Sequence, residues 1–229
     1  DAAGDVTVTI NSGYTGTAFE IDASALDANV TSSAGEALTV DNNAGATYGL
    51  KLTVKGGEFA DTISSGAGAD IITGNGGADT INAEGGNDVV DGGAGADIID
   101  GGTGLDNISA GAGNDTINVA NKVDFQVSGG VETIDGGAGT DKLAFTNAEA
   151  ITLTAPELSK LIGIESITFA HATASSATFG NETFTSLGQP SLTLTTSTGN
   201  ATTKFDASSV SNGAFVMIDN GLNANQDTL

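Results

Sequence analysis

Cysteine and arginine are absent from the 229 residues, aromatic residues make up only 5 %, and no apolar run approaches the roughly 20 residues of a membrane span. Each absence closes a route. Without cysteine there are no disulfides and no thiolate metal sites, so any staple must be of another kind. Without arginine, six lysines face 29 acidic residues, and the formal charge of −23 repels nucleic acid and anionic membrane surfaces, which are gripped through basic side chains. Neither nucleic-acid binding nor membrane insertion is expected; cations are the expected partners. Acidic, aromatic-poor chains are commonly disordered, but here the apolar residues recur with a fixed period, which argues for order. The opening "DAAGDVTVTI" has no basic region followed by an apolar core, so no signal peptide is expected there, and the chain is expected to be a piece of a longer one.

What the chain has in quantity is glycine, 34 residues of it. Composition separates three regions. Residues 1–55 alternate apolar and polar side chains, as in "DVTVTI" and "YGLKLTV", and are expected to be a β-rich N-terminal flank. Residues 56–144 are a glycine and aspartate array. Residues 145–229 return to short strand-like runs such as "ESITFA" and "SLTLTT", a β-rich C-terminal flank in which "APELSKLIG" is the best candidate for one or two helical turns, with Pro156 near its start and Gly163 after its end.

The array resolves into nine-residue frames. Seven run without a gap from Gly56, Ser65, Gly74, Ala83, Gly92, Gly101 and Ala110, and another, "GGAGTDKLA", starts at Gly136 after an interruption. The sixth place is always aspartate: Asp61, Asp70, Asp79, Asp88, Asp97, Asp106, Asp115 and Asp141. The eighth is always Ile, Val or Leu. Each frame divides into a turn and a short strand, and because strand side chains alternate, only the eighth residue of each frame faces inward. Two frames then make one flattened coil with strands stacked in parallel on those of the next coil, a solenoid. Glycine is needed where turns take backbone angles closed to side chains and where adjacent turns approach closely. The same stacking sets each aspartate beside the one two frames on, where carboxylates repel unless a cation lies between them. Glycine turns offer backbone carbonyls as further oxygen ligands, and hard oxygens in number favour Ca²⁺ over Mg²⁺, which demands a tighter octahedron, and over Zn²⁺, which prefers His or Cys.

The frame G-G-x-G-x-D-x-U-x resembles the repeats-in-toxin (RTX) calcium-binding nonapeptide, whose fold is an all-β, right-handed parallel β-roll. The resemblance implies that each ion takes the second- and fourth-place carbonyls and the aspartate of one turn, and the first- and third-place carbonyls and the aspartate of the turn two frames later. Carried over, the first site uses Gly57, Phe59 and Asp61 with Gly74, Gly76 and Asp79. The next uses Gly66, Gly68 and Asp70 with Ala83, Gly85 and Asp88, and the third Asn75, Gly77 and Asp79 with Gly92, Ala94 and Asp97. The fourth uses Glu84, Gly86 and Asp88 with Gly101, Thr103 and Asp106, and the fifth Gly93, Gly95 and Asp97 with Ala110, Ala112 and Asp115. A sixth spans the interruption, with Gly111, Gly113 and Asp115 facing Gly136, Ala138 and Asp141, if the longer interval between those aspartates is one coil plus an insertion around "NKVDFQVSGG". Three departures disturb the turn geometry: Phe59 replaces a fourth-place glycine, and Asn75 and Glu84 stand for second-place ones.

In the flanks, "GVETI" from Gly130 and "GIESI" from Gly163 are one motif used twice, and "IDASAL" from Ile21 recurs as "FDASSV" from Phe205. Interleaved with glycine-aspartate frames, such segments resemble the RTX-bearing surface-layer proteins and adhesins of bacteria. The ending "NQDTL" has the shape of a nonapeptide terminus, so the array is expected to resume beyond it.

Rival chemistries fit less well. A phosphate-cradling loop calls for a neutral or basic surround, whereas an acidic residue follows each turn here. No EF-hand spacing is present, and His171 has no HExxH partner. Nearly all carboxylates that could serve a glycosidase are committed to the array, and a chain without arginine is poorly equipped for a polysaccharide lyase. The expectation is therefore a non-catalytic, calcium-stiffened structural segment of a secreted bacterial surface protein, binding five or six Ca²⁺ and partnering copies of itself or a surface glycan. The alternatives are the secretion and folding module of an RTX exoenzyme, or a glycan-binding adhesin module.

Overall fold

The computed structural model describes residues 6–9, 18–22, 38–41, 50–120, 132–147, 152–169, 176–178, 193–196 and 204–206. Among these, every strand pair is parallel, as a chain that winds in one sense about a single axis requires.

Two sheets form the walls. The first stacks Val6–Thr9, Leu38–Asp41, Thr62–Ser64, Thr80–Asn82, Ile98–Asp100, Thr116–Val119, Lys142–Phe145, Ser166–Phe169 and Thr193–Thr196 in that order. The second stacks Ala18–Asp22, Lys51–Lys55, Ile71–Thr73, Val89–Ala94, Asn107–Gly113, Thr133–Asp135 and Leu161–Ile162. Successive frames alternate between the sheets, so each coil contributes one strand to each. Strands that precede residue 56 and strands that follow residue 144 join these same two sheets, through the pairings Val54↔Ile72 and Leu143↔Ile167. A third sheet, of Thr152–Leu153, Ser176–Thr178 and Lys204–Asp206, is not hydrogen-bonded to them, though its Leu153 joins the same core.

Register follows the frame. Ile63 lies on Ile81 and then Ile99, and Ile72 on Val90 and then Ile108, each with its neighbours exposed or half-buried and its own side chain sealed between the sheets. The core is thus a file of single aliphatic side chains. From Thr116–Val119 onward it thickens: Ile117 and Val119 are both buried, Leu143 and Phe145 of the next strand pack with Ile167 and Phe169 of the one after, and the two phenyl rings stack nearly parallel with centroids 5.4 Å apart.

The interruption is an insertion in one coil. Ile108 pairs with Ile134, and Ile117 with Leu143, each further along the chain than the regular two-frame step seen from Ile63 to Ile81. In the sequence the nine residues 127–135, "VSGGVETID", read as a further frame, and its described part puts Glu132 in the aspartate's place and Ile134 in the core place. The segment "NKVDFQVSGG" itself lies outside the described residues, as do His171, "NQDTL" and most of the "IDASAL" and "FDASSV" motifs. "APELSKLIG" gives one helical turn, Ala155–Leu158, and no second. The Glu157 carboxylate accepts the Thr154 amide, which is the glutamate half of a capping box, and the Glu157 and Leu158 amides donate to the Thr154 backbone carbonyl. Leu161–Ile162 then leaves the helix to extend the second sheet, because Leu161 is needed in the core under Ile134.

Candidate metal centre

The frame aspartates are sealed into two columns, one along each sheet. All eight are at most 3 % exposed. Burial of so many acids in a chain with few cations demands partners, and the first is the backbone. The amide of Asp61 donates to Oδ1 of Asp79 at 2.8 Å, that of Asp79 to Asp97 at 2.8 Å, that of Asp97 to Asp115 at 2.8 Å, and that of Asp115 to Asp141 at 2.8 Å. In the second column Asp70 donates to Asp88 at 2.7 Å and Asp88 to Asp106 at 2.8 Å. All six pairs expected from the stacking of alternate frames are therefore brought together, each through one carboxylate oxygen and an amide.

The columns have a direction. Every amide donates to the carboxylate of the following coil, so the first member needs no acid of its own, and Leu52 fills that role by donating to Asp70 Oδ1 at 2.6 Å. The last aspartate needs an acid beyond it. Asp141 finds one in Glu165, whose Oε2 accepts its amide at 2.6 Å, and Glu132, 2 % exposed, stands in the corresponding place after Asp106. Sequence reasoning picks out "GVETI" and "GIESI" as a repeated motif but misses that Glu-x-Ile repeats the spacing of Asp-x-Ile. That shared spacing is the available signal.

The second carboxylate oxygen is the chemically open one. Oδ2 of Asp79, Asp88, Asp97, Asp115 and Asp141 is buried and makes no hydrogen bond, while that of Asp61 accepts the Gly57 amide at 2.7 Å. In the first column it converges with the first-place carbonyl of the following coil. A Cβ built on Gly74 would lie 2.3 Å from Asp79 Oδ2 and 2.4 Å from the Gly92 carbonyl oxygen, and one built on Gly92 would lie 2.7 Å from Asp97 Oδ2 and 2.5 Å from the Ala110 carbonyl. Two electron-rich oxygens turned toward one point, with no donor serving the carboxylate oxygen, suit a hard cation and little else. Among the described residues no three acidic or histidine side chains cluster, so an ion here would draw on backbone carbonyls for much of its shell.

Other predicted carbonyls are tied between turns. Those of Gly57, Gly66, Asn75 and Glu84 accept the amides of Gly76, Gly85, Ala94 and Thr103 in the following coil, and those of Ala94, Thr103 and Ala112 accept the amides of Gly77, Gly86 and Gly95 in the preceding one. A carbonyl has two lone pairs, so one hydrogen bond leaves capacity for a metal. The fourth-place carbonyls sit directly under the next fourth-place glycine: a Cβ on Gly95, at φ +147°, would lie 1.4 Å from the Gly77 carbonyl oxygen. The irregular second places keep the turn all the same. Asn75 and Glu84 adopt φ of 71° and 65°, in the left-handed region used by Gly66 and Gly93, and each is anchored by its side chain: Asn75 Nδ2 donates to the Gly56 carbonyl, and Glu84 Oε1 accepts from Ser64 Oγ. Phe59, in the irregular first turn, is exposed. Ninth-place residues add a support that the frame analysis overlooks, since Asn82, Asp100 and Asp135 each accept the amide two residues on and so open the next turn.

Electrostatics follow from burial. Desolvation, opposed by the column amides and reinforced by flanking carboxylates, pushes Asp79 and Asp88 up to about 7, and Asp141 up to about 6. Burial raises Asp70, Asp97 and Asp115 as well; for Asp70 the Leu52 amide, the Ser65 hydroxyl and Lys51 pull the other way. These acids are held ready to ionise against a cation and are uncomfortable as anions without one.

Residues 55–90, 91–120 and 127–144 match the family of the RTX calcium-binding nonapeptide repeat, in four copies. No curated protein and no solved structure matches the chain. The protein is thus a parallel β-roll built on stacked turns, and this stretch belongs to the RTX calcium-binding repeats. Such repeats bind calcium, are typically non-catalytic and generally belong to secreted bacterial proteins. The third matched segment begins at Val127, the start of the Glu132 frame. Among the described residues, no helix is long and apolar enough to cross a membrane.

Proposed function

We propose that residues 56–144 are a calcium-set roll between β-rich segments 1–55 and 145–229, and that the chain is a non-catalytic structural part of a bacterial cell-surface protein of the surface-layer kind. The observation that carries the metal reading is the set of buried Oδ2 atoms without hydrogen bonds in two aspartate columns, which in the first column face backbone carbonyls. The six coil-to-coil pairs, with the carbonyl sets named above, would hold six ions. Six Ca²⁺ bring 12 positive charges and reduce the formal charge from −23 to −11, so each ion relieves repulsion for the next and binding is cooperative. Affinities in the ~10⁻⁴ to 10⁻³ M range of extracellular calcium sites leave the roll empty in a cytosol and filled outside. At ten times such a Kd each site contributes about 1.4 kcal/mol, or about 8 kcal/mol for six, comparable with the whole stability of a domain. The surface-layer reading extends this: a segment that sets on meeting external calcium can then pack against copies of itself or a surface glycan.

The experiment is a calcium titration followed by far-ultraviolet circular dichroism and by counting bound ions. The expected result is loss of the array's β signal in excess chelator and cooperative recovery with five or six ions. A fully folded array in chelator, or saturation at cytosolic calcium levels, overturns the reading. Ordered two-dimensional assemblies on adding calcium test the surface-layer extension.

A further inference from the structure

The aspartate column of the first sheet does not stop where the nonapeptides stop. Beyond "GGAGTDKLA" the chain makes one more turn on that side, from Ile162, paired with Asp135, to Ser166, paired with Lys142. In the last nonapeptide the corresponding connection is residues 136–141; here only Gly163, Ile164 and Glu165 remain. Despite the shorter connection, two contacts of the array are reproduced. The Asp141 amide donates to Glu165 Oε2 at 2.6 Å, and a Cβ on Gly136 would meet the Gly163 carbonyl oxygen at 2.3 Å and Asp141 Oδ2 at 2.9 Å, the pattern seen at Gly74 and Gly92. Glutamate reaches one methylene further than aspartate, which suits a column position approached by a shortened turn. Gly163 supports that turn with φ +60°, close against Gly137.

Among the described residues, no cation acts on the charge at this point. Asp141 is fully buried and its Oδ2 has no hydrogen-bond partner. The charged groups that act on it are Asp115, Glu165 and Asp135, all acidic.

We propose that Asp141 and Glu165, with the Gly163 carbonyl, form one further divalent-cation site at the C-terminal end of the roll, beyond the six coil-to-coil sites of the nonapeptides. It rests on the calcium reading of the array. Because the turn supplies fewer carbonyls than a full nonapeptide, water completes more of its shell, and the site is the weakest of the series, since ligand number sets calcium affinity.

The test compares the full chain with Glu165→Gln and Glu165→Ala, using Ca²⁺ as the probe, bound ions counted by equilibrium dialysis and folding followed by circular dichroism at saturating calcium. Gln keeps an oxygen that accepts the Asp141 amide, so it preserves the column while removing the charge. The expected result is that both variants bind one ion fewer than the unmodified chain, or bind the weakest ion at least about tenfold less tightly, with the remaining sites unchanged. If Glu165 only caps the column, Glu165→Gln binds as the unmodified chain does, and the proposal is overturned. It is overturned equally if both variants match the unmodified chain. A chain that binds no calcium before any substitution defeats the calcium reading of the whole array, a result distinct from either.

Discussion

The coils of the array and the coil that follows residue 140 share a backbone path and differ in what fills them. Between Ile63 and Ile108 each strand sends a single large aliphatic side chain inward, with only Ala83 and Ala110 buried beside the file, and the frame carboxylates are buried at the turns; Ile117 already shares its strand with buried Val119. After Asp141 two strands of the first sheet send two each, Leu143 with Phe145 and Ile167 with Phe169, and Leu153, Leu158, Leu161 and Ile164 belong to the same core. A solenoid can therefore be held by cations between turns or by apolar side chains between sheets, and this chain passes from one to the other within a few coils. Glycine-rich turns lose much conformational entropy on folding and bury little, so the array is expected to need its ions and the aromatic end to stand without them.

The sharpest break in that comparison comes from the aromatic end. Phe169→Ala removes one partner of the stacked pair and should cost about 3–5 kcal/mol of the stability of the C-terminal coils, with calcium or without it. Thermal melts of the variant with and without chelator check this. A loss seen only in calcium would show that the aromatic coils are as metal-dependent as the array.

Within the array, Asp97 accepts the amide of Asp79 and donates its own to Asp115, so it belongs to two coil-to-coil sites. Asp61 donates to Asp79, while its carboxylate is occupied by the Gly57 amide of its own turn. Asp97→Ala should remove two ions in mid-array, about 3 kcal/mol at ten times Kd, and divide the cooperative transition. Asp61→Ala should remove at most one, at the end. Calcium titration of both variants decides it, and equal midpoints would mean the aspartates are solvated turn residues instead.

The smallest effect is that of pH. A carboxyl whose folded pKa is raised above its unfolded value disfavours the folded state when ionised, and that penalty fades as pH falls through the folded pKa. With Asp79 and Asp88 near 7 and Asp141 near 6 against an ordinary 3.8, the calcium-free chain should gain structure between pH 8 and about 5, whereas calcium should bind more weakly over the same interval because protons compete for the same oxygens. Circular dichroism in chelator across that range tests the sign. Less β structure at pH 5 than at pH 8 would contradict it.

Much of this was legible because a nonapeptide is a local code. The places of Asp79 and Ile81 in their frame, and the two-frame step to Asp97 and Ile99, are enough to place strand, core and column, since side-chain alternation and the stacking repeat follow from backbone geometry alone. Glu132 and Glu165 escaped because their coils depart from that repeat, one lengthened by an insertion and the other closed by a shortened turn. Once the spacing changes, only the sheet register shows which residue stands over which. Leu52 was hidden for another reason: it serves the column through its amide, which every residue but proline possesses, so no side chain marks it. The sequence by itself determined the period, the inward residue and the identity of the oxygen donors. Only the tertiary structure decided which oxygen of each carboxylate is spent on an amide and which is left open, and that the columns run in one direction, because hydrogen-bond direction between coils is a property of stacked backbones and not of any one frame.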